Sequence, residues 1–122
     1  MKKVTLLTMF LLGALLIYTP QVSAQEVYAV TETHPSSGKI TDHYIITETI
    51  QEQGPALGVG VHSVGKNYSH NDYWNVMYAY INGKWNWVMN GNLALSIPID
   101  KIDEPMLRSV IYGIFKTARE YM

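Results

Sequence analysis

Three residues with metal-ligating side chains lie close together in the segment 62–72: His62, His70 and Asp72. Imidazole nitrogens and carboxylate oxygens bind zinc, and three such ligands leave the open position that a catalytic metal needs. Against this, no pair of histidines has the i,i+4 spacing of a helical metal motif, and the chain contains no cysteine. A small hydrolase or metal-binding protein that uses these three residues is therefore one alternative for the function.

Two serines, Ser63 and Ser69, lie beside these histidines, and a hydroxyl next to a histidine base is an arrangement for nucleophilic catalysis. Neither serine is surrounded by a nucleophile motif. Residues 60–66 also have the G-x-x-x-x-G-K spacing of a phosphate-binding loop, but Asn67 stands where a serine or threonine should bind magnesium. We therefore predict no catalytic residue and no cofactor, and the sequence favours a protein that is not an enzyme.

The most aromatic part of the chain is residues 73–89, two runs of strand-forming residues joined by Asn82 and Gly83. Asn-Gly predicts a two-residue hairpin turn, because both central residues of a type I′ turn need positive φ. Such a turn fixes the register, which pairs Ile81 with Lys84, Tyr80 with Trp85, Ala79 with Asn86 and Tyr78 with Trp87. Since side chains alternate across a strand, one face collects the large rings of Trp74, Tyr78, Tyr80, Trp85 and Trp87.

These five aromatic residues are the predicted binding residues. Exposed rings stack on sugars or on a partner's side chains, and exposed apolar patches usually mark binding sites. Buried rings would instead pack under a C-terminal helix, and the sequence favours burial. We therefore expect a binding site at the rim of the aromatic face. The leading hypothesis is a small exported binding protein for an unknown glycan or protein ligand. A subunit that docks through the hairpin face, in a homodimer or a hetero-oligomer, is a further alternative.

Strand patterns and one helical pattern make up the rest of the chain. We predict strands over 26–33, 39–52 and 57–64, a polar loop over 65–72, and a short strand over 93–99 after the hairpin. A helix with Asp103 as N-cap follows, with apolar residues at helical spacing from 106 to 118. The predicted fold is α+β, an antiparallel sheet of about five strands (a meander) with one C-terminal amphipathic helix packed on one face.

Glycines inside the predicted elements indicate close neighbours. Gly58 and Gly60 share one face of the strand over 57–64, and we predict that a tryptophan or tyrosine of the hairpin lies over them. Gly113 lies within the predicted helix, where glycine is unfavourable, and we expect it to sit near a bulky side chain.

The first 24 residues have the pattern of a secretory signal peptide: Lys2 and Lys3, an apolar run over 4–18, and small residues up to Ala24. The run is shorter than the roughly 20 residues that span a bilayer, so we expect cleavage after Ala24 and no membrane association afterwards. Removing 24 of the 122 residues leaves one domain, 25–122. Seven Lys and Arg against ten Asp and Glu give it a charge of −3, which offers nucleic acid no basic surface. The compact leader is typical of a bacterial periplasmic or extracellular protein.

Overall fold

The computed structural model describes residues 25–122, so the predicted signal peptide lies outside the described residues. The strands are β1 (Glu26–Thr33), β2 (Ile40–Gln53), β3 (Ala56–Gly65), β4 (Asn71–Ile81), β5 (Lys84–Val88) and β6 (Ser96–Pro98). One α-helix, α1 (Pro105–Glu120), follows, and short 3-10 turns flank β6. All neighbouring strands pair antiparallel in chain order, and α1 packs against the sheet. The predicted α+β meander with a C-terminal helix is confirmed, with six strands. Across this part of the chain, no helix has the length and apolar character needed to cross a membrane.

The hairpin of β4 and β5 has the predicted register in all four pairs, from Ile81 with Lys84 to Tyr78 with Trp87. Asn82 and Gly83 have φ values of 53° and 78°, as a type I′ turn requires. Local turn chemistry is therefore sufficient to align these two strands.

The start of β4 differs from the prediction. Asn71 and Asp72 belong to the strand and not to the preceding loop, because they continue the β3–β4 ladder opposite Val64 and Ser63. Ladder hydrogen bonds can hold polar residues in a strand where the sequence pattern predicts a loop. The consequence is that Asp72 lies directly beside Ser63.

Gly60 has a different neighbour from the one predicted. The ladder between β2 and β3 shifts register between Ile46 and Gln51, and Thr49 lies within this irregularity. Thr49 Oγ1 accepts a hydrogen bond from the Gly60 N–H at 2.7 Å and donates one to the Ile46 carbonyl at 2.6 Å. A Cβ at Gly60 would lie 2.8 Å from Thr49 Oγ1, so this threonine, and not an aromatic ring of the hairpin, requires the glycine.

The helix α1 begins at Pro105 with Glu104 as its N-cap, not Asp103 as predicted. The Glu104 carboxylate accepts a hydrogen bond from the Leu107 N–H at 2.6 Å, which satisfies one of the free donors of the first turn. Gly113 lies against Val30 of β1, and a Cβ added to it would be 2.8 Å from Val30 Cβ. The prediction of a bulky neighbour at Gly113 is confirmed.

The aromatic face of the hairpin forms the core under α1. Tyr78 is fully buried, and its hydroxyl donates to the Ile111 carbonyl of α1 at 2.6 Å. Trp85 packs against Phe115 of α1, with ring centroids 5.1 Å apart and ring planes inclined at 51°. Tyr80, at the end of the face, is 50% exposed. The helix therefore covers the middle of the aromatic face, and its opposite end, beyond Trp74, is free to form a site.

Candidate functional site

A cleft of about 350 Å³ lies at this open end of the sheet, on the same side as α1. Residues of β1–β4 form its floor, and the loops 34–39 and 66–70 form its mouth. The ladders bring the floor together, because His43 pairs with Ser63 and Ser63 pairs with Asp72. We call this space the polar cleft.

The floor of the polar cleft contains a connected chain of hydrogen bonds. His43 Nε2 lies 2.9 Å from Glu32 Oε1, and His43 Nδ1 lies 2.6 Å from Ser63 Oγ. The Trp74 indole N–H donates to the same Ser63 Oγ at 2.7 Å. His43 and Ser63 are both buried, and every buried side-chain nitrogen and oxygen of residues 25–122 has a partner. A fully satisfied network of this kind fixes the positions of its side chains.

The mouth of the polar cleft is built on Tyr68. Its hydroxyl lies 2.6 Å from Thr41 Oγ1, and its ring stacks on His70 with centroids 5.5 Å apart. The Lys39 ammonium lies 5.1 Å from the centroid of the same ring, within the range of a cation–π contact. Asn67 joins the two loops, because its side chain accepts from the Ile40 N–H and donates to the Gly38 carbonyl. The mouth is therefore held in place by side-chain contacts.

The charges of the polar cleft are mixed. Lys39 contributes a cation at the mouth, and Asp72 contributes an exposed carboxylate there. His34 and His70 add imidazole groups, and Glu32 is half-buried on the floor beside His43. Such a lining offers donors and acceptors to a polar molecule without a strong field of either sign.

The structure separates the three predicted metal ligands. His70 and Asp72 line the polar cleft, but His62 precedes Ser63 in β3, so its side chain points to the opposite face of the sheet. There His62 Nδ1 lies 2.7 Å from Glu26 Oε1, and its ring stacks on Tyr73. Among the residues that the structure describes, no three His, Cys, Asp or Glu side chains are arranged to hold a metal ion.

The ring of His62 belongs to a row of aromatic side chains on that opposite face. Tyr28, Tyr44, His62 and Tyr73 occupy neighbouring positions on β1–β4, with centroids 6.0, 6.5 and 4.2 Å apart. His62 and Tyr73 are nearly parallel, at 6°, so each covers one ring face of the other. Tyr28, at the end of the row, is 53% exposed, whereas the other three rings are half-buried.

The five predicted aromatic binding residues divide between core and cleft. Trp74 is half-buried and lines the polar cleft, whereas Tyr78 is core. Trp85 and Trp87 are half-buried against the core, which leaves Tyr80 as the exposed member. Of the five predicted residues, Trp74 is the one that lines the polar cleft, at the rim of the aromatic face.

A second, wider groove of about 450 Å³ lies between β5 and α1 and includes Trp85. Its charged side chains are already engaged: Lys84 Nζ lies 3.3 Å from Asp100 Oδ2, and Arg108 donates to the Ile102 carbonyl at 2.9 Å. The polar cleft is the stronger candidate, because Lys39, His70 and Asp72 present exposed polar groups at its mouth.

The sequence did not single out His43 or Glu32. Their proximity follows from the pairing of β1 with β2, in which a bulge between Tyr28 and Val30 shifts the register. The alternation of β3, which places Ser63 and His62 on opposite faces, was the available signal.

Comparisons with protein-family models, with curated proteins and with solved structures gave no match for this chain. The chemistry of the polar cleft is thus the basis of the functional proposal.

Proposed function

We propose that this protein is an exported binding protein and that the polar cleft holds a small, uncharged polar ligand of the saccharide class. The observation that carries the proposal is that one cleft combines aromatic rings with both hydrogen-bond donors and hydrogen-bond acceptors. Trp74 and Tyr68 supply the rings, and Lys39, His70 and Asp72 supply donors and acceptors.

A saccharide fits this lining better than a simple anion or cation. Sugar rings have apolar C–H surfaces that pack on aromatic side chains, and hydroxyl groups that both donate and accept hydrogen bonds. A carboxylate such as Asp72 accepts from a hydroxyl, and an ammonium such as Lys39 donates to one. A volume near 350 Å³ is at the lower end of the range for ligand sites, which favours a ligand of one or two sugar units.

Export of the protein rests on the amino-terminal pattern of residues 1–24. An exported protein meets saccharides from cell walls and from its surroundings, which agrees with the ligand class proposed. The covered hairpin face makes docking through that face a weaker alternative, because Tyr78 is not accessible.

Titration calorimetry of the purified protein with neutral mono- and disaccharides, and with phosphate and acetate for comparison, tests the proposal. Asp72→Asn and Lys39→Ala should each weaken saccharide binding by about tenfold or more, which is the loss of one charge-assisted hydrogen bond. Asp100→Asn is the matched control, since it removes an exposed carboxylate from the other groove. Saccharides that fail to bind at about 10 mM, or bind all three variants equally, would contradict the proposal.

A further inference from the structure

The floor of the polar cleft holds a serine, a histidine and a carboxylate in hydrogen-bonded sequence, an arrangement that binding alone does not need. We propose that Ser63 is a nucleophile activated by His43 and Glu32, and that the polar cleft cleaves small carboxylic esters. The inference goes beyond the proposed binding function and departs from the expectation of a non-enzymatic protein. It rests on the proposed binding function in one respect: the polar ligand of the cleft is the alcohol part of the ester.

The proton positions in the chain follow from its chemistry. An ionised Glu32 carboxylate can only accept, so His43 Nε2 carries the proton in the neutral ring. His43 Nδ1 is then an acceptor, and the Ser63 hydroxyl donates to it across 2.6 Å. The Trp74 N–H donates to Ser63 Oγ from the other side. The histidine is therefore in the tautomer that a general base needs, and the carboxylate fixes that tautomer.

The reaction divides into two steps that conserve protons. Ser63 Oγ forms a bond to the ester carbonyl carbon while its proton passes to His43 Nδ1, and Glu32 stabilises the imidazolium at Nε2. The bond from that carbon to the alcohol oxygen then breaks, and the alcohol leaves with the proton from Nδ1. Water attacks the acyl group on Ser63 with His43 again as base, which releases the carboxylic acid and restores the serine.

Two features of the site differ from the usual serine hydrolase. The histidine presents Nδ1 to the serine and Nε2 to the acid, the reverse of the common order, although either nitrogen can act as the base. Ser63 is 2% exposed, so an ester reaches its Oγ only from the polar cleft that it lines. Lys39 lines the same cleft, and its ammonium is the donor that we assign to the oxyanion.

Covalent labelling tests the proposal without knowledge of the natural ester. An alkyl fluorophosphonate forms a bond from phosphorus to the serine oxygen and loses fluoride, while the proton passes to the histidine. We expect a single adduct, located on Ser63 by peptide mass spectrometry of the wild-type protein. Ser63→Ala should give no adduct, and Ser69→Ala, which changes an exposed serine of the adjacent loop, should label at the wild-type rate.

The absence of an adduct on Ser63, or equal labelling of Ser69, would overturn the proposal. The hydrogen-bond network of Ser63, His43 and Glu32 would then have a structural role. Because the adduct is located in the wild-type protein, the result does not depend on whether Ser63→Ala folds. Saccharide binding is measured separately by calorimetry. Labelling without binding overturns only the binding function, and binding without labelling overturns only the nucleophile.

Glu32 is a positioning residue in this scheme, and its role has a spectroscopic readout. In the wild type, ¹⁵N chemical shifts should show the His43 proton on Nε2. Glu32→Leu should abolish this tautomer preference and slow labelling by at least about tenfold. An unchanged tautomer together with an unchanged labelling rate would overturn the assigned role of Glu32.

Discussion

The hydroxyl of Tyr78 links the sheet to the helix, and its removal measures how firmly α1 closes over the aromatic face. The side chain is fully buried, and the hydroxyl donates to the Ile111 carbonyl at 2.6 Å. Tyr78→Phe keeps the ring but loses this hydrogen bond. The expected loss in the free energy of unfolding is about 1–2 kcal/mol. For a domain of this size, that loss lowers Tm by about 4–8 °C per kcal/mol.

Tyr80→Phe is the matched control for this measurement. Tyr80 lies two residues further along β4 on the same face, but it is 50% exposed. Its hydroxyl can bind water in the folded and unfolded states, so the change should be within about 0.5 kcal/mol. Urea denaturation with equal m-values for all three proteins gives the comparison. Equal stabilities of the two variants would refute the account of the hairpin face as core.

The dependence of stability on pH supplies a second readout of the same burial. Burial raises the pKa of the Tyr78 hydroxyl well above its usual value of 10.0. Above pH 10 the unfolded chain loses this proton while the folded protein keeps it. The free energy of unfolding therefore falls with rising pH, by about 1.4 kcal/mol per pH unit from this group until the folded pKa is reached. Tyr78→Phe lacks this contribution, so the difference in free energy of unfolding between the wild type and this variant should become smaller above pH 10. A difference that stays constant with pH would contradict the prediction.

Three further predictions concern the sheet, the helix and the amino terminus. Gly60→Ala should cost about 1–3 kcal/mol of stability in urea denaturation, because the new methyl displaces the buried Thr49 side chain; an unchanged midpoint would contradict the close contact. Glu104→Ala should lower the free energy of unfolding by about 1 kcal/mol and Asp103→Ala by much less, since Glu104 makes the capping hydrogen bond. A larger loss for Asp103→Ala would indicate that Asp103 is the N-cap. When the protein is expressed with residues 1–24, its intact mass should correspond to a chain that begins at Gln25, and a chain that retains the first 24 residues would contradict cleavage.

The elements that the sequence predicted well depend on local chemistry. The Asn82-Gly83 turn sets the register of β4 and β5, and apolar residues at helical spacing locate α1. Alternation along the strand was also enough to expect a covered aromatic face. The helix cap was misplaced by one residue because residue type favours Asp103 as the cap and does not favour Glu104. Only the backbone geometry shows that Glu104 takes this position.

The polar cleft could not be predicted in the same way, because it depends on register between distant strands. Glu32 and His43 meet across a ladder that contains a bulge, and β2 has a second irregularity after Ile46. Each bulge changes which residues share a face, and the sequence has no clear signal for either. Grouping His62 with Asp72 by nearness in sequence was misleading, because one residue along a strand moves a side chain to the other face.

The indole N–H of Trp74 gives the most direct measurement of where a ligand binds. The chain has three tryptophans, and the structure places only Trp74 in the polar cleft, while Trp85 and Trp87 lie against the core. Trp74→Phe identifies its signal among the three indole ¹H–¹⁵N resonances. On titration with a saccharide, we expect the Trp74 signal to move and the other two to stay in place. Movement of the Trp85 and Trp87 signals with an unchanged Trp74 signal would contradict a ligand site in the polar cleft.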